Sequence, residues 1–170
     1  DIANVKGSKP EQAAGRALTL GELMALVSSC NDGSLTGARD AAILAVAYAG
    51  GLRRAEIVGL TMESFDAAAG VLTVHGKRNK TRTVPMQNGA LKALQDWLAL
   101  RGDAPGAVFL PIGKGDKVRK QWVRLDRETG KIVSCEPTAA GAMLEGMTTQ
   151  AVYYIFTERA QAAVRRAGFA

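Results

Sequence analysis

The chain has 170 residues, of which 47% are hydrophobic and 22% are charged, a composition that supports a packed globular domain and argues against disorder. Lysine and arginine outnumber aspartate and glutamate by 22 to 16, and the resulting net charge of +6 favours a polyanionic partner, nucleic acid ahead of an acidic membrane surface. Two cysteines and one histidine exclude a zinc cluster of the usual composition. No apolar run is long enough to cross a bilayer, and the absence of a Cys-x-x-Cys pair favours a reduced, cytoplasmic protein.

The start of the chain predicts a tail followed by a domain. Residues 1–18 are polar and contain several turn-forming residues, so we expect a linker or tail there and place the domain at 19–170. Thr19 and Glu22 form a capping-box pattern, which predicts that a helix opens the domain. Because the chain begins with aspartate rather than methionine, we expect it to be a piece of a longer product.

Two further helices and a hairpin are predicted next. Apolar residues at helical spacing predict one helix over 36–50, ended by the glycine pair Gly50 and Gly51, and a short one over 53–60. The hydrophobic period then changes, and residues 71–86 predict two strands joined by a basic turn.

The second half of the chain predicts two more helices and a second hairpin. Asn88 is expected to cap a leucine-striped helix that ends at Gly102. Residues 112–137 are rich in lysine and arginine and are expected to form a β-hairpin insertion. Thr148 or Thr149 is expected to cap the last helix.

Large side chains of the second half are assigned mainly to the core. We expect Trp97 and Trp122 to pack; the alternative for Trp122, which lies within the basic hairpin, is contact with a sugar or base. At least one of Tyr153 and Tyr154 is expected to be buried, the other being a half-buried partner contact. The apolar face predicted for the last helix consists of Val152, Ile155, Phe156, Ala160 and Ala163.

The first candidate site is the segment Gly51-Leu52-Arg53-Arg54-Ala55-Glu56-Ile57, which puts two arginines at the start of a short helix. Glycines let the backbone turn, a helix N-terminus favours anions, and a guanidinium can bond two phosphate oxygens at once. The alternative is a solvated arginine pair in which Arg53 is bridged to Glu56 or Asp40.

The second candidate site is the turn of the first hairpin, residues 76–82, which holds four cations and no acid. A hairpin tip reaches outward, so contact with a nucleic-acid groove is feasible; the alternative is a solvated turn, as most charge runs are. Other chemistries are excluded: the spacing of residues 70–77 is wrong for a phosphate-binding loop, and no Gly-x-Ser-x-Gly occurs.

The two candidate sites together resemble conserved segments of the tyrosine recombinase, or phage integrase, family. Gly50-Gly51-Leu52-Arg53-x-x-Glu56-Ile57-x-x-Leu60 is similar to the family's first box, and residues 74–85 are similar to its lysine hairpin. The resemblance covers residues 18–110 and extends more loosely through 147–170. It implies an α+β, mainly helical fold: the catalytic core of DNA breaking-rejoining enzymes, with a small antiparallel β-sheet and truncated on its C-terminal side.

The resemblance also assigns roles. Arg53 matches the first catalytic arginine, Lys77 matches the catalytic hairpin lysine, and Glu56 matches an acidic residue that supports the arginine. No metal and no cofactor is implied. Residues expected to contact the DNA backbone are Arg54, Arg78, Lys80, Arg82 and Lys120.

The parent protein implied by the resemblance is a site-specific recombinase of a phage or other mobile element, which cuts and rejoins double-stranded DNA through a 3′-phosphotyrosine intermediate. Its expected partners are DNA, other recombinase protomers and the missing C-terminal part of the same protein; no membrane is expected. The family's second box, His-x-x-Arg, and its nucleophilic tyrosine do not follow the last helix. We therefore expect this fragment to be inactive and to retain DNA-backbone binding. Two alternatives stay open: a non-catalytic DNA-binding module from a degenerate integrase, and a domain whose basic face meets an acidic protein.

Overall fold

The computed structural model describes residues 17–113, 115–118, 123–125, 132–135 and 146–167. These residues are mainly helical with small antiparallel sheets, which confirms the predicted α+β class. The helices are α1 Leu20–Ser28, α2 Leu35–Gly50, α3 Arg54–Val58, α4 Asn88–Arg101 and α5 Thr149–Ala167. The strands are β1 Phe65–Asp66, β2 Val71–His75, β3 Thr81–Pro85, β4 Ile112–Gly113, β5 Lys117–Val118, β6 Val123–Leu125 and β7 Ile132–Cys135.

Helix α1 begins where the capping box predicts. Glu22 N–H donates to Thr19 Oγ1 at 3.2 Å, and Thr19 N–H donates to Glu22 Oε2 at 2.8 Å, so two backbone donors at the helix start are satisfied reciprocally. Leu26 is buried and packs with Cys30 of the following turn and with Leu44 of α2, which fixes α1 on the domain.

Helix α2 has local signals at both ends and one distant partner. Gly51 ends it in the left-handed conformation (φ 57°), in agreement with the predicted glycine stop. At its start, Gly37 N–H donates to Ser34 Oγ at 2.8 Å. The Asp116 carboxylate accepts from Leu35 N–H at 2.6 Å and from Thr36 N–H at 2.8 Å, so the segment between β4 and β5 also caps this helix.

The main sheet has three strands in the order β1-β2-β3, all antiparallel. The predicted hairpin is confirmed, with Leu72 opposite Val84 and His75 opposite Thr81. Strand β1 was not predicted; it follows a 3-10 turn over Met62–Ser64, in the segment 61–70 that the sequence predicts as a connector with one more helical turn. The sheet and four helices enclose one core, whose fully buried members include Ile43, Val46, Ile57, Leu72, Val74, Leu94, Trp97, Val108 and Val152.

Helix α4 starts without the predicted asparagine cap. Gln87 is the residue before the helix and makes no side-chain capping bond, while Asn88 is its first residue with φ 51°. Trp97 is fully buried, as predicted, and its indole N–H donates to Val108 O at 2.9 Å. Arg101 is also fully buried, and its guanidinium donates to Ala107 O at 2.8 and 3.1 Å, which holds the chain after α4 against the helix.

The predicted insertion at 112–137 contains two short ladders. Strand β4 pairs with β5, and β6 pairs with β7 with Val123 opposite Cys135. The sequence predicts one hairpin in this insertion, with strands over 118–125 and 131–134; in the structure Val118 pairs instead with Ile112, because the chain turns back immediately after β4. Lys120 and Trp122 lie outside the described residues.

Helix α5 begins after Thr148, whose hydroxyl accepts from Ala151 N–H at 3.1 Å. Two predictions for this helix are wrong: Tyr153 and Tyr154 are 48% and 56% exposed, so neither is in the core, and Ala160 is exposed. The inward stripe is formed by Val152, Ile155, half-buried Phe156 and Ala163, and its remaining turn is occupied by Arg159.

Arg159 joins α5 to α2 and to the loop before it. Its Nε donates to Asp40 Oδ2 at 2.8 Å, and one terminal nitrogen donates to Ser29 O at 2.8 Å and to Asp32 Oδ2 at 3.0 Å. The other Asp40 oxygen accepts from Arg39 at 2.7 and 3.0 Å. A buried carboxylate is thus held between two arginines. No helix in the described ranges is both long and apolar enough to cross a membrane.

Candidate functional site

Arg53 is the residue that leads into α3, and its backbone is fixed while its side chain is free to reach solvent. The backbone is extended (φ −74°, ψ 155°), and its N–H donates to Glu56 Oε2 at 2.8 Å. The guanidinium makes one longer contact, 3.3 Å from Nη1 to Glu56 Oε1, and the side chain is 81% exposed. The backbone of Arg53 is therefore held in place, while its guanidinium lies at the surface.

Glu56 is the buried centre of this region. Its side chain is 5% exposed and accepts from Arg53 N–H and from both terminal nitrogens of Arg82, at 2.9 Å to Oε1 and 3.0 Å to Oε2. The hydrogen bonds from Arg82, and next that from the Arg53 backbone, lower the pKa of Glu56 from 4.5 to about 2. The carboxylate is therefore ionised at neutral pH, and the two guanidiniums leave a surplus of one positive charge.

Arg82 lies on β3, two residues before buried Val84, and so shares the inward face of the strand. Its guanidinium forms a two-pronged bond with Glu56, although 40% of the side chain is exposed. The sequence predicts Arg82 as a DNA contact; in the structure its guanidinium is hydrogen-bonded to Glu56. The alternation of exposed Thr83 and buried Val84 is the signal that could have indicated this orientation.

The tip of the first hairpin carries the other cations. Gly76 N–H donates to Lys80 O at 2.7 Å and closes the turn, within which Arg78 adopts the left-handed conformation (φ 62°, ψ 37°). Lys77, Arg78 and Lys80 are all exposed. A Cβ on Gly76 would lie 3.4 Å from Glu56 Oε1, so the base of the turn sits close against the same carboxylate that anchors Arg53.

Arg54 has a partner that sequence reasoning missed. Its Cζ lies 5.4 Å from the centroid of the Tyr153 ring, within the range of a cation–π interaction. Tyr153 and Tyr154 pack edge to face, with ring centroids 5.9 Å apart. Two adjacent tyrosines on one helix cannot both face the core, and the sequence accordingly predicts one of them as a half-buried contact, without indicating Arg54 as its partner.

An open apolar groove of about 640 Å³ adjoins Arg53 and Arg54. Its wall includes exposed residues, among them Tyr48 at 67% and Leu18 at 54%. Its other lining residues include Leu23, Leu26, Leu44, Ile57 and Phe156. The candidate site thus borders an uncovered apolar surface.

The structure brings together part of the predicted site. Arg53, Glu56 and Arg82 are joined by hydrogen bonds, and the turn with Lys77 begins beside them. Arg54 contacts Tyr153 of α5 instead, and Lys120 falls outside the described residues. Among the described residues, no group of three or more His, Cys, Asp or Glu side chains is arranged to hold a metal ion.

Comparison with known proteins finds a matching family model and similar recombinases. The model of the phage integrase family matches residues 16–133. Tyrosine recombinase XerC of Stutzerimonas stutzeri (strain A1501) is 41% identical over 105 residues, which are 60% of this chain and 35% of that protein. Tyrosine recombinase XerC of Pseudomonas aeruginosa (strain LESB58) is 37% identical over 121 residues, 69% of this chain and 39% of that protein. The chain thus spans little more than a third of the length of these relatives.

Two solved structures share the fold. The crystal structure of XerA recombinase has a TM-score of 0.60 and 17% identity, with 92% of this chain and 45% of that chain covered. The integrase from mycobacterium phage Brujita has a TM-score of 0.57 and 18% identity, with 94% and 42% covered. These likenesses confirm the fold expected from the sequence resemblance.

Proposed function

The chain belongs to the phage integrase family, and from this membership we propose that it supplies the first half of the catalytic site of a tyrosine-type site-specific recombinase acting on double-stranded DNA. The observation that carries the proposal is the guanidinium of Arg53, which is 81% exposed while its backbone is bonded to buried, ionised Glu56. A fixed cation at the surface, next to a basic hairpin, suits a DNA phosphate.

In the proposed reaction a tyrosine of the parent protein gives up its phenolic proton to a base outside these 170 residues and attacks a DNA phosphorus. A bond forms between the tyrosine oxygen and phosphorus, and the bond from phosphorus to the 5′ oxygen breaks. Arg53 bonds the non-bridging oxygens, on which negative charge increases in the transition state. Lys77 gives its proton to the departing 5′ oxygen as general acid. Lys77 lies on the exposed turn, so it reaches the departing oxygen only when the DNA is docked on the hairpin.

The nucleophilic tyrosine and the arginine of the His-x-x-Arg box are assigned to the part of the parent outside these 170 residues. The relatives are more than twice as long as the matched region, which supports a larger parent. The apolar groove beside Arg53 supports it too, since an adjoining part of the polypeptide packed there would cover exposed Tyr48 and Leu18. We further propose that the parent works in the cytoplasm and that several recombinase protomers assemble on DNA. Its origin in a phage or other mobile element stays a prediction.

The direct test is DNA binding by the 170-residue chain, measured by fluorescence anisotropy with a labelled duplex over a range of salt concentrations. Arg53→Ala is expected to weaken binding about tenfold, the effect of one charge-assisted hydrogen-bonding group. Arg53→Lys is expected to lose nearly as much, because an ammonium cannot bond two phosphate oxygens in one plane. Binding by the unsubstituted chain should fall steeply with salt.

Lys92→Gln is the matched control, because it removes one positive charge from the exposed face of α4, where Lys92 pairs with Asp96. It is expected to change the dissociation constant less than about twofold. Equal losses for Arg53→Ala and Lys92→Gln, or a flat salt response, would show that the site is not a phosphate site. A covalent adduct between the 170-residue chain and a suicide DNA substrate would contradict the assignment of the nucleophile to the rest of the parent.

A further inference from the structure

We propose that Arg82 is a positioning residue: it neutralises Glu56 and thereby leaves the guanidinium of Arg53 free to bind a DNA phosphate. This inference rests on the proposed function, since it concerns the same site. It replaces the sequence-based expectation that Arg82 itself contacts DNA.

The geometry shows which arginine is the main partner of Glu56. Arg82 bonds both carboxylate oxygens, at 2.9 and 3.0 Å, in the two-pronged arrangement that is strongest for arginine and carboxylate. The Arg53 guanidinium reaches one oxygen at 3.3 Å. Exposure follows the same order, because Arg53 is 81% exposed and Arg82 is 40% exposed. Glu56 is therefore satisfied mainly by Arg82.

The balance of charge explains why this matters for Arg53. Glu56 is 5% exposed, and a buried carboxylate strongly favours a directly bonded cation. With Arg82 in place, the three side chains sum to one positive charge, which is available to a phosphate. Without Arg82, the Arg53 guanidinium is the remaining cation among the partners that the structure describes for Glu56. A DNA phosphate would then compete with Glu56 for it.

The backbone around the pair separates Arg82 from the cations at the hairpin tip. Arg82 lies opposite Val74 in the ladder and on the same strand face as buried Val84. Gly76 leaves room for the ion pair, because a Cβ there would lie 3.4 Å from Glu56 Oε1 and 3.9 Å from a terminal nitrogen of Arg82. Arg82 is thus built into the base of the hairpin, whereas Lys77 and Arg78 are exposed at its tip.

The experiment measures what Arg53→Ala costs in DNA binding in three backgrounds of the 170-residue chain. In the otherwise unsubstituted chain the loss is expected to be about tenfold. In Arg82→Gln it is expected to shrink below about twofold, because Arg53 is already held by Glu56. In Glu56→Gln/Arg82→Gln, which has the original net charge and no carboxylate to compete, it is expected to return to about tenfold.

Circular dichroism shows whether Arg82→Gln folds. If it does not fold, Arg82→Lys tests the same inference. Lysine still neutralises Glu56, so DNA binding should stay within about twofold of the unsubstituted chain. If Arg82 instead bonded a phosphate directly, Arg82→Lys would lose about as much as Arg53→Lys.

The outcomes separate this inference from the proposed function. A tenfold loss for Arg53→Ala in all three backgrounds, or a large loss for Arg82→Lys, overturns the inference alone and leaves the phosphate site standing. If Arg53→Ala costs no more than Lys92→Gln in the otherwise unsubstituted chain, the proposed function fails and the inference fails with it.

Discussion

Replacing Glu56 by glutamine tests how much stability depends on the buried carboxylate that joins α3 to β3. The pKa of Glu56 falls from 4.5 to about 2, first because of the Arg82 hydrogen bonds and then because of the Arg53 backbone N–H. Since a tenfold change in an acid dissociation constant is worth about 1.4 kcal/mol, ionisation of Glu56 would contribute about 3 kcal/mol at neutral pH. Arg82 is 40% exposed, so solvent screening reduces the expected destabilisation by Glu56→Gln to about 2 kcal/mol.

The pH dependence identifies the ionised carboxylate as the cause. A folded-state pKa below the unfolded value stabilises the protein above pH 4.5, and this contribution disappears as the pH falls from 4.5 toward 2. The difference in unfolding free energy between the unsubstituted chain and Glu56→Gln should therefore be about 2 kcal/mol at neutral pH and should shrink as the pH falls from 4.5 toward 2. Urea unfolding followed by circular dichroism at a series of pH values measures it.

Asp96→Asn is the matched control for this experiment. It makes the same change from carboxylate to amide on the surface of α4, where Asp96 is 57% exposed and pairs with Lys92. It should cost less than about 0.5 kcal/mol. If Glu56→Gln also costs less than about 0.5 kcal/mol, the bonds from the two arginines to Glu56 do not stabilise the fold as expected. If it costs more but by the same amount at every pH, the ionisation of Glu56 is not the cause.

Two further predictions concern a strained turn and a buried ion pair. Arg78→Gly is expected to stabilise the fold by about 0.5 to 1 kcal/mol, since it relieves a left-handed backbone (φ 62°), while weakening DNA binding through the lost cation. Thermal unfolding and anisotropy would measure these opposite signs, and a loss of stability would contradict the argument from strain. Arg159→Met is expected to destabilise the fold by about 3 kcal/mol, because it removes one cation from buried Asp40, whereas Arg166→Met, which loses an exposed bond to Ser28 O, should cost less than about 1 kcal/mol. Similar urea midpoints for these two variants would show that the Asp40 pair is not a main support of α5.

Features that depend on neighbours in the chain were predictable. The capping box of α1 needs Thr19 and Glu22 three residues apart, and the end of α2 needs a glycine that accepts a left-handed backbone. The strands of the first hairpin follow from alternation over a short stretch. The resemblance at Arg53 and Lys77 depended on such local patterns too, and the family that it indicated is the one that the comparison finds.

Features that depend on distant residues were not predictable. Asp116 caps α2 from 80 positions away, and a local cap was predicted for α4 at Asn88 where none forms. The burial of α5 was misjudged because Arg159 reaches Asp40 across the interface with α2 and occupies a turn assigned to Ala160. A polar residue can lie on the inward face of a helix when another element supplies its partner, and no pattern within one helix shows this.

The candidate site likewise has features that depend on local sequence and features that depend on distant residues. The residue types and their spacing are visible in the amino-acid sequence: an arginine at the start of a helix, an acid three residues later and a basic hairpin turn. That Arg82 bonds Glu56 while Arg53 stays exposed follows from the packing of distant elements, which the sequence does not show. The reason is physical: a buried carboxylate is neutralised by whichever cation the packed elements bring to both of its oxygens, and strand β3 brings Arg82 there from 26 residues along the chain.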